Sequence, residues 1–306
     1  MSGPNQGVLD FKARCRIPAI AAPMFLCSGP DLVVETCKAG ISGTFPALNQ
    51  RTSEGFEDWL KEIQDRLGPD DAPYGVNLIV HQSNPRVQAD LELCVKYKVP
   101  LIITSLGAVP DLVNAVHSYG GLVFHDVIKR RHAEKAVEAG VDGIIAVAAG
   151  AGGHAGTFSP FALVSEIREF YDGAIILSGC MTDGGHVLAA EAMGADFGYI
   201  GSHFIAAKES MAVDGQKQMM MSSTAQDITY TDKVTGVGAN FLTPSLNAAS
   251  IEHAPGEMSL NEEAKAWKTI WSAGHGVGAT KESLPAKVIC EQLIAEYDAA
   301  KAKICG

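Results

Sequence analysis

Eight short runs of apolar and β-branched residues recur at intervals of 20–30 residues, at 19–24, 41–46, 74–80, 101–106, 122–127, 143–149, 174–179 and 197–202. Their hydrophobicity is nearly continuous rather than alternating, as expected of strands covered on both faces in a parallel sheet. Helical punctuation lies between them. Ser159-Pro160 predicts a helix start, and Leu163, Val164, Ile167 and Phe170 then share one helical face. Helices are predicted to end at Gly40, Gly140 and Gly194, where glycine can take the left-handed conformation that other residues resist. Gly140-Val141-Asp142 and Gly194-Ala195-Asp196 echo each other, a weak sign of a repeated βα unit. Eight strands alternating with helices are the count of an α/β chain closed into a (β/α)8 TIM barrel. A doubly wound sheet, the rival, has about five to seven strands.

After Ser202 the pattern changes. A helix is predicted over 203–217 and Met219, Met220 and Met221 read as packing residues. Residues 222–251 have no clear period, a helix resumes over 261–271, a glycine-rich turn follows at 273–278, and 285–301 reads as a closing helix. Residues 1–206 and 281–306 are therefore expected to form the barrel. Residues 207–280 are expected to form an irregular helical and loop elaboration over its C-terminal face, lid-like and without a core of its own.

Composition narrows the function classes. The net charge is −11, which argues against nucleic acid, whose binding faces are basic. A single phosphate can still be held by backbone amides. The seven cysteines are scattered and form no CxxC, so neither a disulfide framework nor a zinc site is expected, and no HExxH or HxH supports another metal. No apolar run approaches the roughly 18 residues that span a bilayer. The start of the chain lacks the apolar core of a signal peptide, so a cytoplasmic location and no membrane partner are expected.

Barrel enzymes place chemistry at the C-terminal ends of their strands. Those ends carry Ala22, Pro23 and Met24; Asn77; Thr104; the run 150–156 with Gly152, Gly153 and His154; Ser178, Gly179 and Cys180; and Gly201 and Ser202. The glycines after the seventh and eighth strands suit a phosphate held by N–H groups, or simply tight turns. In 150–156 four glycines leave the backbone bare for a flat ligand, and His154 stands among them. Histidine titrates near neutrality, which suits a general base, while a loop-capping histidine is the plainer role. The helix that follows begins only after Ser159, so this is no dinucleotide fingerprint. His186 reads as a surface residue, Lys129 as a solvated helix start, and Cys180 as a small buried thiol rather than a nucleophile.

In order, Ala-Pro-Met at 22–24, Asn77, AGGHAG at 151–156, SGCMTDGG at 178–185, GSHF at 201–204 and WSAGHGVG at 271–278 make a specific set. Together they resemble the nitronate monooxygenase family, formerly 2-nitropropane dioxygenases, over about residues 15–290. The resemblance implies an FMN-dependent barrel, in a family that also holds NADH:quinone reductases and FMN-type enoyl-ACP reductases. It implies that Ala22, Pro23 and Met24 lie against the flavin, that Asn77 bonds to it, and that Gly179, Cys180, Gly201 and Ser202 hold its phosphate. His154 matches the family histidine that takes the carbon proton beside a nitro group, ahead of electron transfer to FMN and reaction with dioxygen. Three positions depart from the family pattern: Gly150 replaces a Glu, the stretch Ala146-Val147-Ala148 replaces a Gln, and His275 replaces another Gln.

The expected activity is oxidation of alkyl nitronates or nitroalkanes with dioxygen, His154 being the base. The alternative is an NAD(P)H-dependent flavin reductase acting on quinones or enoyl thioesters. A flavin-free phosphate-binding aldolase or isomerase, or a non-enzymatic scaffold, fits the bare glycine wall less well. A homodimer is compatible with the family.

Overall fold

The computed structural model describes residues 3–81, 83–107, 109–249 and 266–305. Helix α1 (Gln6–Ala13) precedes the first strand, capped by Asn5, whose side chain accepts from the Val8 N–H at 3.0 Å. Its short length and two buried residues, Val8 and Phe11, left no periodic signal in the sequence. There follow β1 (Ala19–Ala21), α2 (Pro30–Lys38), β2 (Ser42–Pro46), α3 (Ser53–Arg66), β3 (Gly75–Ile79), α4 (Val87–Lys96) and β4 (Leu101–Ser105). Next come α5 (Pro110–His117), β5 (Leu122–Val127), α6 (Arg130–Glu138), β6 (Gly143–Val147), β7 (Gly153–His154), α7 (Pro160–Arg168), β8 (Ala174–Ser178), α8 (Gly184–Ala192) and β9 (Phe197–Ile200).

Strands β1, β2, β3, β4, β5, β6, β8 and β9 form a closed parallel barrel in that order, each within one of the eight runs read from the sequence. Alternation divides each strand between two apolar sets. Ile20, Ile103, Phe124, Ile145, Ile176 and Phe197 pack together inside the barrel. Ile102, Val123, Ile144 and Ile175 pack outward beneath the helices. Phe11 of α1 meets the rings of Phe124 and Phe197 edge-on, with centroids 6.2 and 5.9 Å away, and so fills the N-terminal end of the barrel.

The expected glycine stops are present: Gly40, Gly140 and Gly194 have φ of 92°, 84° and 99°. Helix α7 starts after Ser159 as expected, but the serine hydroxyl makes no capping bond; Leu163, Val164 and Ile167 are buried on its inner face.

Beyond the barrel the sequence reading needs correction. The single helix expected over 203–217 is two, α9 (Ser202–Ile205) and α10 (Asp214–Ser222). The aperiodic region 222–251 contains β10 (Ile228–Thr231), β11 (Ala239–Leu242) and α11 (Thr243–Ala248). Strand β11 pairs antiparallel with both β10 and β7, so a small three-stranded sheet stands over the strand ends. Val234, Ala239, Phe241 and Ile270 give this region a small apolar centre, contrary to the expectation that it has none. Met220 is buried and Met219 packs beside it, the packing role foreseen for that triplet. Of the helix expected over 261–271, residues 261–265 lie outside the described residues, and 267–269 form a turn rather than helix. The glycine turn contains a 3-10 helix at His275–Ala279, and α12 (Ala286–Cys305) closes the chain.

Candidate active site

All eight barrel strands run parallel, so their C-terminal ends open on one face. The last inward position of each strand forms the floor beneath that opening. Leu122 and Phe124 point inward from β5, and strict alternation brings Asp126 in above them. The same rule turns Asn77, Ser105, Ser178 and Tyr199 inward, and Val147 and Ala22 add apolar members to the layer.

The polar members are linked. The Asn77 side-chain amide donates to the Ile103 carbonyl at 3.2 Å and to Ser105 Oγ at 2.8 Å, and Ser105 in turn donates to Asp126 Oδ2 at 2.5 Å. Both Asn77 amide hydrogens are thereby used, leaving its carbonyl oxygen as the group it can offer a ligand. Asp126 Oδ1 and the Tyr199 hydroxyl are buried and have no hydrogen-bond partner among the described residues. Burial pushes the Asp126 carboxyl up to about 6, against the opposing effects of the Ser105 hydroxyl and of charge on His154. Burial, reinforced by the charge on Asp126, also raises the Tyr199 phenol well above its ordinary value.

Thr104 does not join this group. It points out of the barrel, where its hydroxyl meets His125 Nδ1 at 2.7 Å, and burial lowers that imidazole to about 4. The sequence reading named Thr104 on this strand; it is Ser105, one position on, that faces inward. Ser105, Asp126 and Tyr199 were all missed, although a lone aspartate in phase with Leu122 and Phe124 was a legible signal.

His154 is fixed from outside the barrel. Strand β7 carries it, and pairing of His154 with Ala239 of β11 sets its height over the opening. Its Nε2 lies 3.4 Å from Thr235 Oγ1, and Thr235 gives its own hydrogen to the Val237 carbonyl at 3.1 Å. The hydroxyl thus presents a lone pair to Nε2. The Trp267 ring stands edge-on to the imidazole with centroids 5.8 Å apart. Thr235 lies in the aperiodic stretch and Trp267 in the stretch read as a helix over 261–271, and no sequence motif marked either.

The glycine segments interlock. The His275 N–H donates to the Gly150 carbonyl at 2.9 Å, the Gly274 N–H to Ser202 Oγ at 2.8 Å, and the Asn240 amide to the Ala151 carbonyl at 2.7 Å. A Cβ on Gly152 would sit 2.8 Å from the Gly274 nitrogen, so the two turns touch only because both lack side chains. Ser202 accepts one bond here and keeps its hydroxyl hydrogen to donate. Gly179 and Gly201 follow the neighbouring strands β8 and β9, and Ala22 and Met24, just beyond β1, lie near Gly201. Cys180 follows with φ of 59°, unusual for a residue with a side chain. It is exposed rather than buried, and its thiol points at the Gly150 carbonyl, 3.6 Å away. Desolvation raises its pKa, which does not suit a nucleophile. His186 sits half-exposed at the start of α8, and Lys129 is exposed just ahead of α6.

No helix among the described residues is long and apolar enough to cross a membrane, and they contain no metal-ligand cluster. The nitronate monooxygenase family model matches residues 9–296. A nitronate monooxygenase of Paraburkholderia phytofirmans is 26% identical over 90% of this chain and 91% of its own. A Rhodococcus jostii dehydrogenase of a hydroxy-methyl-oxo-octahydro-indene carboxyl-CoA is 26% identical over 81% of this chain and 68% of its own. Among solved structures, a nitroalkane oxidase from Streptomyces ansochromogenes superposes with a TM-score of 0.85 at 23% identity, covering 96% of this chain and 99% of its own. FabK from Thermotoga maritima gives 0.83 at 23% identity, over 98% of each chain. The chain is an oxidoreductase enzyme of the nitronate monooxygenase family.

Proposed function

We propose that the protein binds FMN and oxidises alkyl nitronates and nitroalkanes with dioxygen, with His154 as general base. The observation that carries this reading is the placement of His154: a histidine pinned by β11 and Thr235 over the opening of a glycine-lined, polar-floored barrel. The mouth fits FMN on the chemistry of its donors. Bare backbone at Gly179 and Gly201, the Cys180 N–H and the Ser202 hydroxyl suit a phosphate, while Gly152 and Gly153 leave room for a flat ring. Ala22, Pro23 and Met24 would form the wall against which the ring lies, and Ser178 and Asn77 would contact it from the floor. When bound, FMN supplies two-electron oxidation of the substrate and reaction with dioxygen.

The chain's own part is proton chemistry and exclusion of water. A nitroalkane carries an acidic hydrogen on the carbon beside the nitro group. The His154 imidazole takes that proton, and the Thr235 hydroxyl steadies the ring through Nε2. A pre-formed nitronate has already lost this proton and needs no base. The described residues of the stretch after 206, 207–249 and 266–280, act as a lid that brings Thr235 and Trp267 to the substrate.

A visible spectrum and an oxygen electrode test the reading. The purified protein should be yellow, or become so with added FMN, and should consume oxygen with an alkyl nitronate. A colourless protein that ignores FMN contradicts it.

A second reading, an NAD(P)H-dependent reductase of enoyl thioesters or quinones on the same cofactor, is favoured by the Rhodococcus relative, whose named substrate is a CoA thioester. Rapid anaerobic bleaching by NADH or NADPH, without oxidation of nitronates, selects it.

A further inference from the structure

The floor of the barrel holds two buried polar atoms that no group among the described residues satisfies: Asp126 Oδ1 and the Tyr199 hydroxyl. Leaving such atoms without partners is costly, so a structure that keeps two in one layer has a use for them. They belong to one arrangement. Asp126 is anchored through Oδ2 by Ser105, which is itself held by Asn77, so Oδ1 is aimed by a rigid relay rather than by a mobile side chain. Tyr199 rises from β9 into the same inward-facing layer, close enough for the charge on Asp126 to act on its phenol. Val147, the inward residue of the neighbouring β6, offers no polar atom.

The two atoms differ in chemistry. A carboxylate oxygen can only accept, whereas the phenol can donate. Their joint ligand must therefore offer an N–H or O–H beside an acceptor, in an arrangement flat enough to lie on the floor. The oxidised isoalloxazine ring has a single N–H, at N3, and a carbonyl on each side of it. We propose that Asp126 accepts the N3–H of the bound flavin and that Tyr199 donates to the adjoining carbonyl. This rests on the FMN reading above and assigns to it two residues that the sequence motifs do not include. Ordered water alone is the competing occupant of such a layer.

The test compares FMN with N3-methyl-FMN, which lacks the N–H but keeps the phosphate, ring and carbonyls. Apoprotein is titrated with each, and Kd is read from quenching of flavin fluorescence. The wild-type chain should prefer FMN by tenfold or more. Asp126→Ala should reduce that preference to less than threefold, and Asp126→Asn, whose amide oxygen still accepts, should restore most of it. If the alanine variant folds poorly, Asp126→Ser reads the same difference, because its hydroxyl stops short of the carboxylate's reach. Tyr199→Phe should weaken both ligands about equally, by threefold or more. Undiminished discrimination by the Asp126 variants overturns the assignment of Asp126, as does a wild-type chain that binds both flavins alike. Unchanged affinities in Tyr199→Phe overturn that of Tyr199. Failure of the wild-type chain to bind either flavin refutes the FMN reading itself, a distinct result.

Discussion

Thr235 Oγ1 lies 3.4 Å from His154 Nε2 while giving its own hydrogen to the Val237 carbonyl, so the residue that orients this imidazole comes from outside the barrel. The barrel fixes where the opening is; the small sheet over it fixes which way the imidazole faces.

Thr235→Val should therefore act on proton abstraction alone. We expect oxidation of a neutral nitroalkane to slow about tenfold, equivalent to ~1.4 kcal/mol, with a pre-formed nitronate oxidised at nearly the wild-type rate. Thr235→Ser, which keeps the hydroxyl, should recover most of the loss. Steady-state kinetics with the two forms of one substrate check this.

Asp126 makes a prediction about stability. Its folded pKa, about 6, lies above the ordinary carboxylate value because burial disfavours the charge. The native state then holds this proton more tightly than the unfolded chain. The destabilisation is absent below about pH 4 and fully present above about pH 6. Asp126→Asn should accordingly stabilise the flavin-free protein at pH 7.5, by about 1–3 kcal/mol, with the gain shrinking towards zero at pH 4. Urea denaturation at both pH values reads the difference. A gain that persists at pH 4 would locate the effect elsewhere.

At the opposite end of the barrel, Phe11 is buried against Phe124 and Phe197 and plugs the N-terminal opening. Phe11→Ala should cost about 3–5 kcal/mol through lost burial and the cavity left behind. It should leave the flavin spectrum of the folded fraction unaltered, because the site lies at the other end. Denaturant unfolding followed by both far-UV signal and flavin absorbance separates the two.

Gly152 tests the interlocked turns. A methyl group there would press on the Gly274 backbone nitrogen at 2.8 Å and on Ser202 Oγ at 3.0 Å. Backbone cannot yield as a side-chain tip does, so Gly152→Ala should push the 273–278 turn off the strand ends. A cost of about 1–3 kcal/mol and a clear loss of FMN affinity are expected. Gly68→Ala, where the nearest atom is a side-chain oxygen at 3.7 Å, serves as the control.

How much of this was written legibly in the chain follows from the range of the interactions concerned. The eight strands were readable because a strand covered on both faces has no polar alternation to confuse, and the glycine stops supply its punctuation. Gly40, Gly140 and Gly194 each needed only local backbone conformation, and each was placed. Strands β10 and β11 were not readable. They are four residues long, and β11 owes its existence to β7, some 85 positions earlier. Thr104 shows the limit of register: a strand end located to within a residue still leaves two faces, and only the alternation set by Leu101 and Ile103 selects Ser105 as the inward residue. The same alternation would have disclosed Asp126.

The central claim, that His154 is a base serving an FMN site, is tested most directly by anaerobic rapid mixing of the flavin-loaded protein with one substrate in two forms. Flavin bleaching is followed for the wild-type chain and for His154→Ala. The account predicts that the variant reduces with the pre-formed nitronate within about threefold of the wild-type rate, but with the neutral nitroalkane at least 100-fold more slowly. Equal rates for the wild type and the variant with the neutral nitroalkane would contradict it.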